Sequence, residues 1–160
     1  VDDQVVVRFA LVDETSIVPV RKTEGASGYD LSIRLSARTE ELRVVDYHPK
    51  LGAVVAVPLG VIAEIPKGYE GVIRSRSSTS AHVLVGTIDS DFRGELCALM
   101  WSYELAFTSD GIRYGFDRVP LLRVAQLVIH KSEDTRFVKV SREELSSTAR
   151  GEKGYGSTNQ

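Results

Sequence analysis

The chain is poor in the residues that build covalent and metal-held frameworks. It has a single cysteine, Cys97, in 160 residues, which excludes an intrachain disulfide and a thiolate zinc site. Its three histidines, His48, His82 and His130, are too dispersed to form an HxxxH-type metal pair. No apolar run reaches membrane-spanning length, and Val1-Asp-Asp-Gln4 does not read as a secretory signal. Charge of one sign is scarce too: 20 Lys and Arg against 22 Asp and Glu leave a net charge of −2. That gives no global attraction to nucleic acid or an anionic membrane, so any phosphate recognition must be local. The expected setting is cytoplasmic or nuclear, or an infected host cell for a virus-encoded protein, and not secreted. Long amphipathic helical patterns are missing as well.

What is present is β-branched sequence in short runs, within an apolar content of 42% that is ordinary for a globular domain. Val5–Val12, Leu42–Asp46, Ala53–Val57, Val61–Ile65, Gly71–Arg74, Leu96–Trp101 and Leu122–His130 read as strands. Turn chemistry separates them: His48-Pro-Lys-Leu-Gly52, Ile65-Pro-Lys-Gly68 and Ser109-Asp-Gly111. Ser141-Arg-Glu-Glu144 matches a capping box, and Ser77–His82 is the other candidate helical turn. Many short strands with regular turns predict an all-β sandwich or jelly roll. Periodicity fades after about Ser146. The expected division is a β domain over 1–146 and a flexible C-terminal arm over 147–160.

Five polar segments interrupt this pattern. Gly25-Ala-Ser-Gly-Tyr-Asp-Leu31 is small-residue-rich and leads through Tyr29 and Asp30 into a strand; Asp30 is either a turn cap or a site residue. Arg74-Ser-Arg-Ser-Ser-Thr-Ser80 offers two guanidinium groups and five hydroxyls, either a plain surface loop or an anion site. Gly86-Thr-Ile-Asp89-Ser-Asp-Phe-Arg-Gly94 reads as a hairpin tip, where partial burial behind Ile88 would raise the proton affinity of Asp89. Arg123-Val-Ala-Gln126-Leu-Val-Ile129 places an amide in a buried strand, where it must satisfy backbone groups or face a polar site. The last segment, Arg150-Gly-Glu-Lys-Gly-Tyr-Gly-Ser-Thr158, combines a phosphate-fitting fork, open glycine amides and an aromatic ring. Its bland alternative is a solvated terminus.

In this order, the five segments resemble the motifs of the trimeric dUTPase family. Ala26–Leu31, Arg76–Ser80, Gly86–Gly94, Arg123–Leu127 and Arg150–Thr158 stand for its first to fifth motifs, spanning nearly the whole chain. The resemblance implies a β jelly roll, or β-clip, assembled as a homotrimer with three sites between subunits. It implies magnesium-dependent hydrolysis of dUTP to dUMP and pyrophosphate, which limits uracil incorporation into DNA and supplies dUMP for dTMP synthesis. It assigns Asp89 to the water that attacks the α-phosphorus, with Asp30 and Gln126 as outer-shell partners of magnesium through water. Arg76, Ser77 and Ser78 would hold the phosphate chain, and Gln126 would also reach the α-phosphate. Main-chain groups of Gly86, Ile88 and Cys97 would read uracil, and Phe92 would pack on the sugar. Arg150, Gly156, Ser157 and Thr158 would clamp the γ-phosphate end, with Tyr155 stacking on the base.

Three departures stand out. Ser78 replaces a usual Gly, Leu121-Leu122 replace Gly-Asp before the fourth motif, and Thr108–Arg118 is longer than usual, predicting an exposed hairpin. Two other readings share the resemblance. A dCTP deaminase has the Arg-Ser-Ser of its second motif but needs a glutamate ten residues beyond the third-motif aspartate, where this chain has Leu99. A regulatory, protein-binding relative, viral in some cases, would use the arginine and aromatic mix of Arg113, Tyr114, Phe116 and Arg118.

Overall fold

The computed structural model describes residues 4–77, 81–115 and 123–152. Eleven strands run through them in chain order: β1 (Arg8–Leu11), β2 (Gly28–Ser32), β3 (Arg43–His48), β4 (Gly52–Glu64), β5 (Tyr69–Ser75), β6 (Val83–Leu84), β7 (Gly86–Ile88), β8 (Glu95–Trp101), β9 (Leu105–Thr108), β10 (Gly111–Tyr114) and β11 (Arg123–Lys131). The described residues hold three short 3-10 turns and no α-helix. No helix among them is long and apolar enough to cross a membrane. The all-β expectation is met.

One sheet has the order β1-β4-β8-β6, with β3 added to the free half of β4, and a second has the order β2-β11-β5-β7. The β9–β10 hairpin forms a separate ribbon. Period-two alternation builds the core between them. Along β8, Leu96, Ala98 and Met100 point inward, which sends Cys97 and Leu99 to the other face. Leu31, Ile33, Val57, Leu59, Ile73, Ile112 and Val124 complete the apolar interior.

Two expected strands, Ala53–Val57 and Val61–Ile65, are one. Pro58 and Gly60 read as a break, yet β4 runs through them with a register shift against β8 between Pro58 and Ile62. Proline lacks a ladder donor, and Gly60 takes φ +71, so this point is a bulge and not a turn. A Cβ on Gly60 would also lie 2.5 Å from Ser16 Oγ.

The expected exposed hairpin is partly packed. Phe107 is exposed, but Ile112 and Leu105 are buried, and Gly111 faces the carbonyls of Leu35 and Ala37. Phe116 and Arg118 lie outside the described residues, as do residues 78–80 of the candidate helical turn at Ser77–His82. The Ser141 capping box is present: Ser141 N–H donates to Glu144 Oε2 at 2.8 Å ahead of a 3-10 turn over Arg142–Glu144. After Lys131 the chain leaves the sheet, and residues 132–152 are exposed throughout.

Candidate active site

The second sheet brings the first, second and fourth motifs together. Gln126 on β11 pairs across to Asp30 on β2 and to Arg74 on β5. Arg76, just beyond β5, clasps Asp30 bidentately, with Nε–Oδ1 2.7 Å and Nη2–Oδ2 2.8 Å. Its Nη1 also donates to the Arg123 carbonyl at 3.3 Å. Both side chains are largely withdrawn from solvent, where removing either partner would leave the other charge buried and uncompensated. Gln126 Nε2 donates to the Ser75 carbonyl at 2.8 Å, leaving Oε1 as an acceptor. That oxygen lies 2.4 Å from where a Cβ on Gly28 would stand. The glycine of the first motif is therefore needed because the fourth-motif amide occupies its side-chain space.

The third motif builds a second feature. Gly86, Ile88, Asp89, Phe92 and Cys97 line a cleft of about 250 Å³, together with Arg43, Val45, Ala56, Thr87, Glu95 and Leu99. β7 positions its part by pairing with β5, Ile88 opposite Gly71 and Gly86 opposite Ile73. A tight turn follows, with Phe92 N–H on the Asp89 carbonyl at 3.1 Å. The Phe92 ring folds back over Gly94, whose absent Cβ would sit 2.5 Å from Phe92 Cζ. Burial, then the charge of Glu95, pushes the Cys97 thiol above its usual range, so it lines the cleft as a neutral group.

Asp89 departs from the sequence expectation: its side chain is exposed and not partly buried. The turn that carries it projects from the end of β7, beyond the cover of Ile88. Asp30 and Arg76, expected to face separate ligands, are each other's partners. Ser77 is exposed beside Arg76. Arg150 is exposed on a turn where Gly151 N–H reaches the Thr148 carbonyl at 3.1 Å. Ser78, Tyr155, Gly156, Ser157 and Thr158 lie outside the described residues.

Several neighbours escaped the sequence reading. Ser75 holds Gln126 through its carbonyl and joins β6 through its hydroxyl, which accepts from Val83 N–H at 2.9 Å. Arg43 and Val45 reach the cleft only because β3 adds to β4. No motif announces them. Glu95 carried a signal, a charged residue opening an otherwise apolar strand.

Comparison with known proteins places the chain in a family. The dUTPase family profile matches residues 14–159. The deoxyuridine 5'-triphosphate nucleotidohydrolase of Chlamydia trachomatis is 34% identical over 159 residues, covering 95% of this chain and 97% of its own. That of Chlamydia felis is 35% identical over 151 residues, covering 89% and 91%. Among solved structures, a mutant dUTPase of Staphylococcus bacteriophage 80alpha with dUpNHpp superposes with a TM-score of 0.64 at 23% identity, covering 96% of this chain and 98% of its own. A mutant dUTPase from phage phi11 of S. aureus, described for its coordination of a structural Mg(II) ion, gives 0.61 at 22% identity, covering 88% and 99%. These two likenesses establish the fold, and the sequence matches establish the rest: the chain belongs to the dUTPase family.

Proposed function

We infer that this protein is a dUTP diphosphatase, hydrolysing dUTP to dUMP and pyrophosphate. The observation that carries the reading is the convergence of Gly86, Ile88, Asp89, Phe92 and Cys97 on one cleft. The cleft has the scale of a base and sugar, and it is walled by strand backbone able to present both N–H and C=O groups. Uracil is read there by the main chain of Gly86, Ile88 and Cys97, with the sugar against Phe92. A site built to hydrogen-bond one base edge rejects the edge that leaves its groups unpaired. Leu99 lines the same cleft as a hydrocarbon, which removes the acid–base group that deamination of dCTP needs.

In the reaction, the Asp89 carboxylate takes a proton from a water molecule as its oxygen bonds to the α-phosphorus. The bond from that phosphorus to the bridging oxygen breaks, and pyrophosphate leaves with the electron pair. Exposure of Asp89 at a turn leaves it open to such a water, and a positioned base contributes about 10²–10⁴-fold. Arg76, Ser77 and Ser78 hold the phosphate chain. Arg150, Gly156, Ser157 and Thr158 close on its outer end, and Tyr155 covers the base. These last residues belong to an arm that we place at 147–160.

The donor set suits magnesium. The described residues contain no group of three or more metal-ligating side chains, so a dedicated protein cage is not what they offer. Asp30 and the free Oε1 of Gln126 are adjacent hard oxygen acceptors, suited to waters around a cation that keeps its hydration. When bound, the ion neutralises phosphate charge. Asp30 also orients Arg76, so one carboxylate serves both neighbours.

A homotrimer fits the surface. Phe137 is 100% exposed, and Val138, Val140 and Leu145 further along the same segment are exposed too, apolar side chains that association would cover. The expected place of action is the cytoplasm or nucleus. The test is pyrophosphate release from a panel of deoxynucleoside and ribonucleoside triphosphates, with and without magnesium. Release from dUTP with magnesium, and from none of the others at comparable rate, is the expected result. Absence of dUTP hydrolysis, or ammonia released from dCTP, overturns the reading.

A further inference from the structure

Arg43 is a cation in the base cleft to which the chemistry above gives no task. Strand register puts it there. Residues directly opposite each other on antiparallel neighbours turn to the same face. Arg43 stands opposite Ala56, and Ala56 stands opposite Leu99, so one row of side chains crosses β3, β4 and β8. Cys97 lies two residues from Leu99 on β8 and shares that face. It is the outer face: the neighbouring β4 residues Val55 and Val57 belong to the core cluster, and Ala56 does not. With β4 between them, β3 and β8 lie about 10 Å apart. An alanine in the middle leaves the row open for a long side chain to lie across it, and Ala56 is only 3% exposed on this outer side.

The Arg43 side chain uses that space. Burial, then the charge of Glu95, pushes the Cys97 thiol up, while the charge of Arg43 and a hydrogen bond from it pull the other way. The guanidinium therefore stands beside the thiol. Arg43 itself is exposed, at the open side of the cleft, and no ion pair engages it among the described residues. The other charge on this wall is committed elsewhere. Glu95 Oε1 accepts Gly60 N–H at 2.8 Å and Arg34 Nε–H at 3.0 Å. Arg43 thus holds its donors next to a base-reading residue, with sulfur, a weak acceptor, as their partner.

A pyrimidine in the cleft offers something better. A carbonyl oxygen has two lone pairs, so a uracil carbonyl that accepts one main-chain N–H keeps a second position open. We propose that Arg43 is a further substrate-binding residue, donating from the rim of the cleft to a carbonyl oxygen of uracil beside Cys97. The inference deepens the dUTP reading and rests on it. Exchanging sulfur for a carbonyl oxygen gives a charge-assisted bond that exists only in the complex. Its consequence is selective: loss of Arg43 weakens the grip on the base and leaves the grip on the phosphates alone.

The experiment compares Arg43→Ala and Arg43→Lys with the wild type. Kinetics on dUTP are measured alongside inhibition by deoxyuridine and by pyrophosphate, each of which carries one half of the ligand. Arg43→Ala is expected to raise KM for dUTP about tenfold, the loss of one charge-assisted hydrogen bond, with kcat within about threefold. Deoxyuridine inhibition weakens by the same factor, and pyrophosphate inhibition does not change. Arg43→Lys keeps the charge without the planar fork and stays about fivefold weaker than wild type. Because Arg43 is exposed and β3 pairs with β4 alone, both variants fold. A cation that merely attracts polyphosphate gives the opposite pattern: dUTP and pyrophosphate weaken together in Arg43→Ala, and Arg43→Lys restores both. That pattern overturns the proposal. Deoxyuridine inhibition of Arg43→Ala equal to wild type overturns it too. Failure of the enzymatic reading shows separately, as wild-type protein that releases no pyrophosphate from dUTP.

Discussion

Arg34 and Arg76 are the buried arginines among the described residues, 7% and 9% exposed, and their surroundings differ in kind. Arg34 meets three carboxylates and a hydroxyl: Glu95 at 3.0 Å from Nε, Ser36 Oγ at 2.6 Å and Asp13 at 3.4 Å from Nη1, and Glu41 at Nη2. Burial pulls its proton affinity down, but the hydrogen bonds and charges of Glu41 and Glu95 outweigh that and raise it. Arg76 meets one carboxylate, Asp30, and one carbonyl. Arg34 is over-neutralised and sits where distant loops are sewn together. Arg76 is neutralised once, beside the exposed Ser77 and the acceptor oxygen of Gln126. Surplus negative charge around a cation marks scaffold, because it repels any anionic ligand. A single counter-charge leaves a local field that can still accept phosphate.

The largest effect expected separates chemistry from both arginines. Asp89→Asn lowers kcat about 10²–10⁴-fold. Because Asp89 is exposed, its replacement leaves the denaturation midpoint within experimental error. Steady-state kinetics beside urea denaturation check this, and unchanged turnover removes Asp89 from its role.

The second test sets the arginines against each other. Arg34→Ala strands three carboxylates around an emptied site and costs about 3–5 kcal/mol of stability. The fraction that folds keeps its kcat. Arg76→Lys keeps the charge but loses the planar fork. It lowers kcat/KM for dUTP about tenfold while shifting stability less than Arg34→Ala does. Should Arg34→Ala cost activity without stability, the division into scaffold and site is wrong.

The sequence made one side of this comparison visible and hid the other. Asp30, Arg76 and Gln126 each stood out in a motif, because polar groups interrupted β-branched runs. Their partnership did not, since it depends on β11 lying between β2 and β5 in a register that places Gln126 opposite Asp30. The Arg34 cluster had no motif at all. Asp13, Arg34, Glu41 and Glu95 come from four stretches that only tertiary structure joins, and a lone charge in a loop reads as solvated. The same limit hid Arg43 at the cleft: β3 shifts register against β4 between Val44 and Asp46, and such a slip decides which side chains face inward. Strand positions were legible wherever alternation was regular. Pro58 and Gly60 misled because a bulge and a turn use the same residues.

The smallest effect expected concerns the acid limb of stability and tests the scaffold side alone. Hydrogen bonds from Ser36 and then Thr15, at 2.6 and 2.7 Å between side-chain oxygens, hold the Asp13 carboxyl well below its ordinary range. Burial works against Glu41, yet bonds from Arg34 and the Arg38 N–H bring it down as well. Both folded values lie below the unfolded ones, so the unfolded chain binds more protons in the interval between them. The stabilisation is then complete above the unfolded carboxylate value of about 4 and is lost as pH falls toward the folded value. Denaturation midpoints taken at about pH 6 and about pH 3 should therefore differ by a small, measurable amount for the wild type. Asp13→Asn keeps an acceptor for Thr15 but cannot titrate, so its two midpoints draw together while its dUTP kinetics at neutral pH stay unchanged. An equal pH separation in the variant removes Asp13 from the acid limb and leaves Glu41 to carry it.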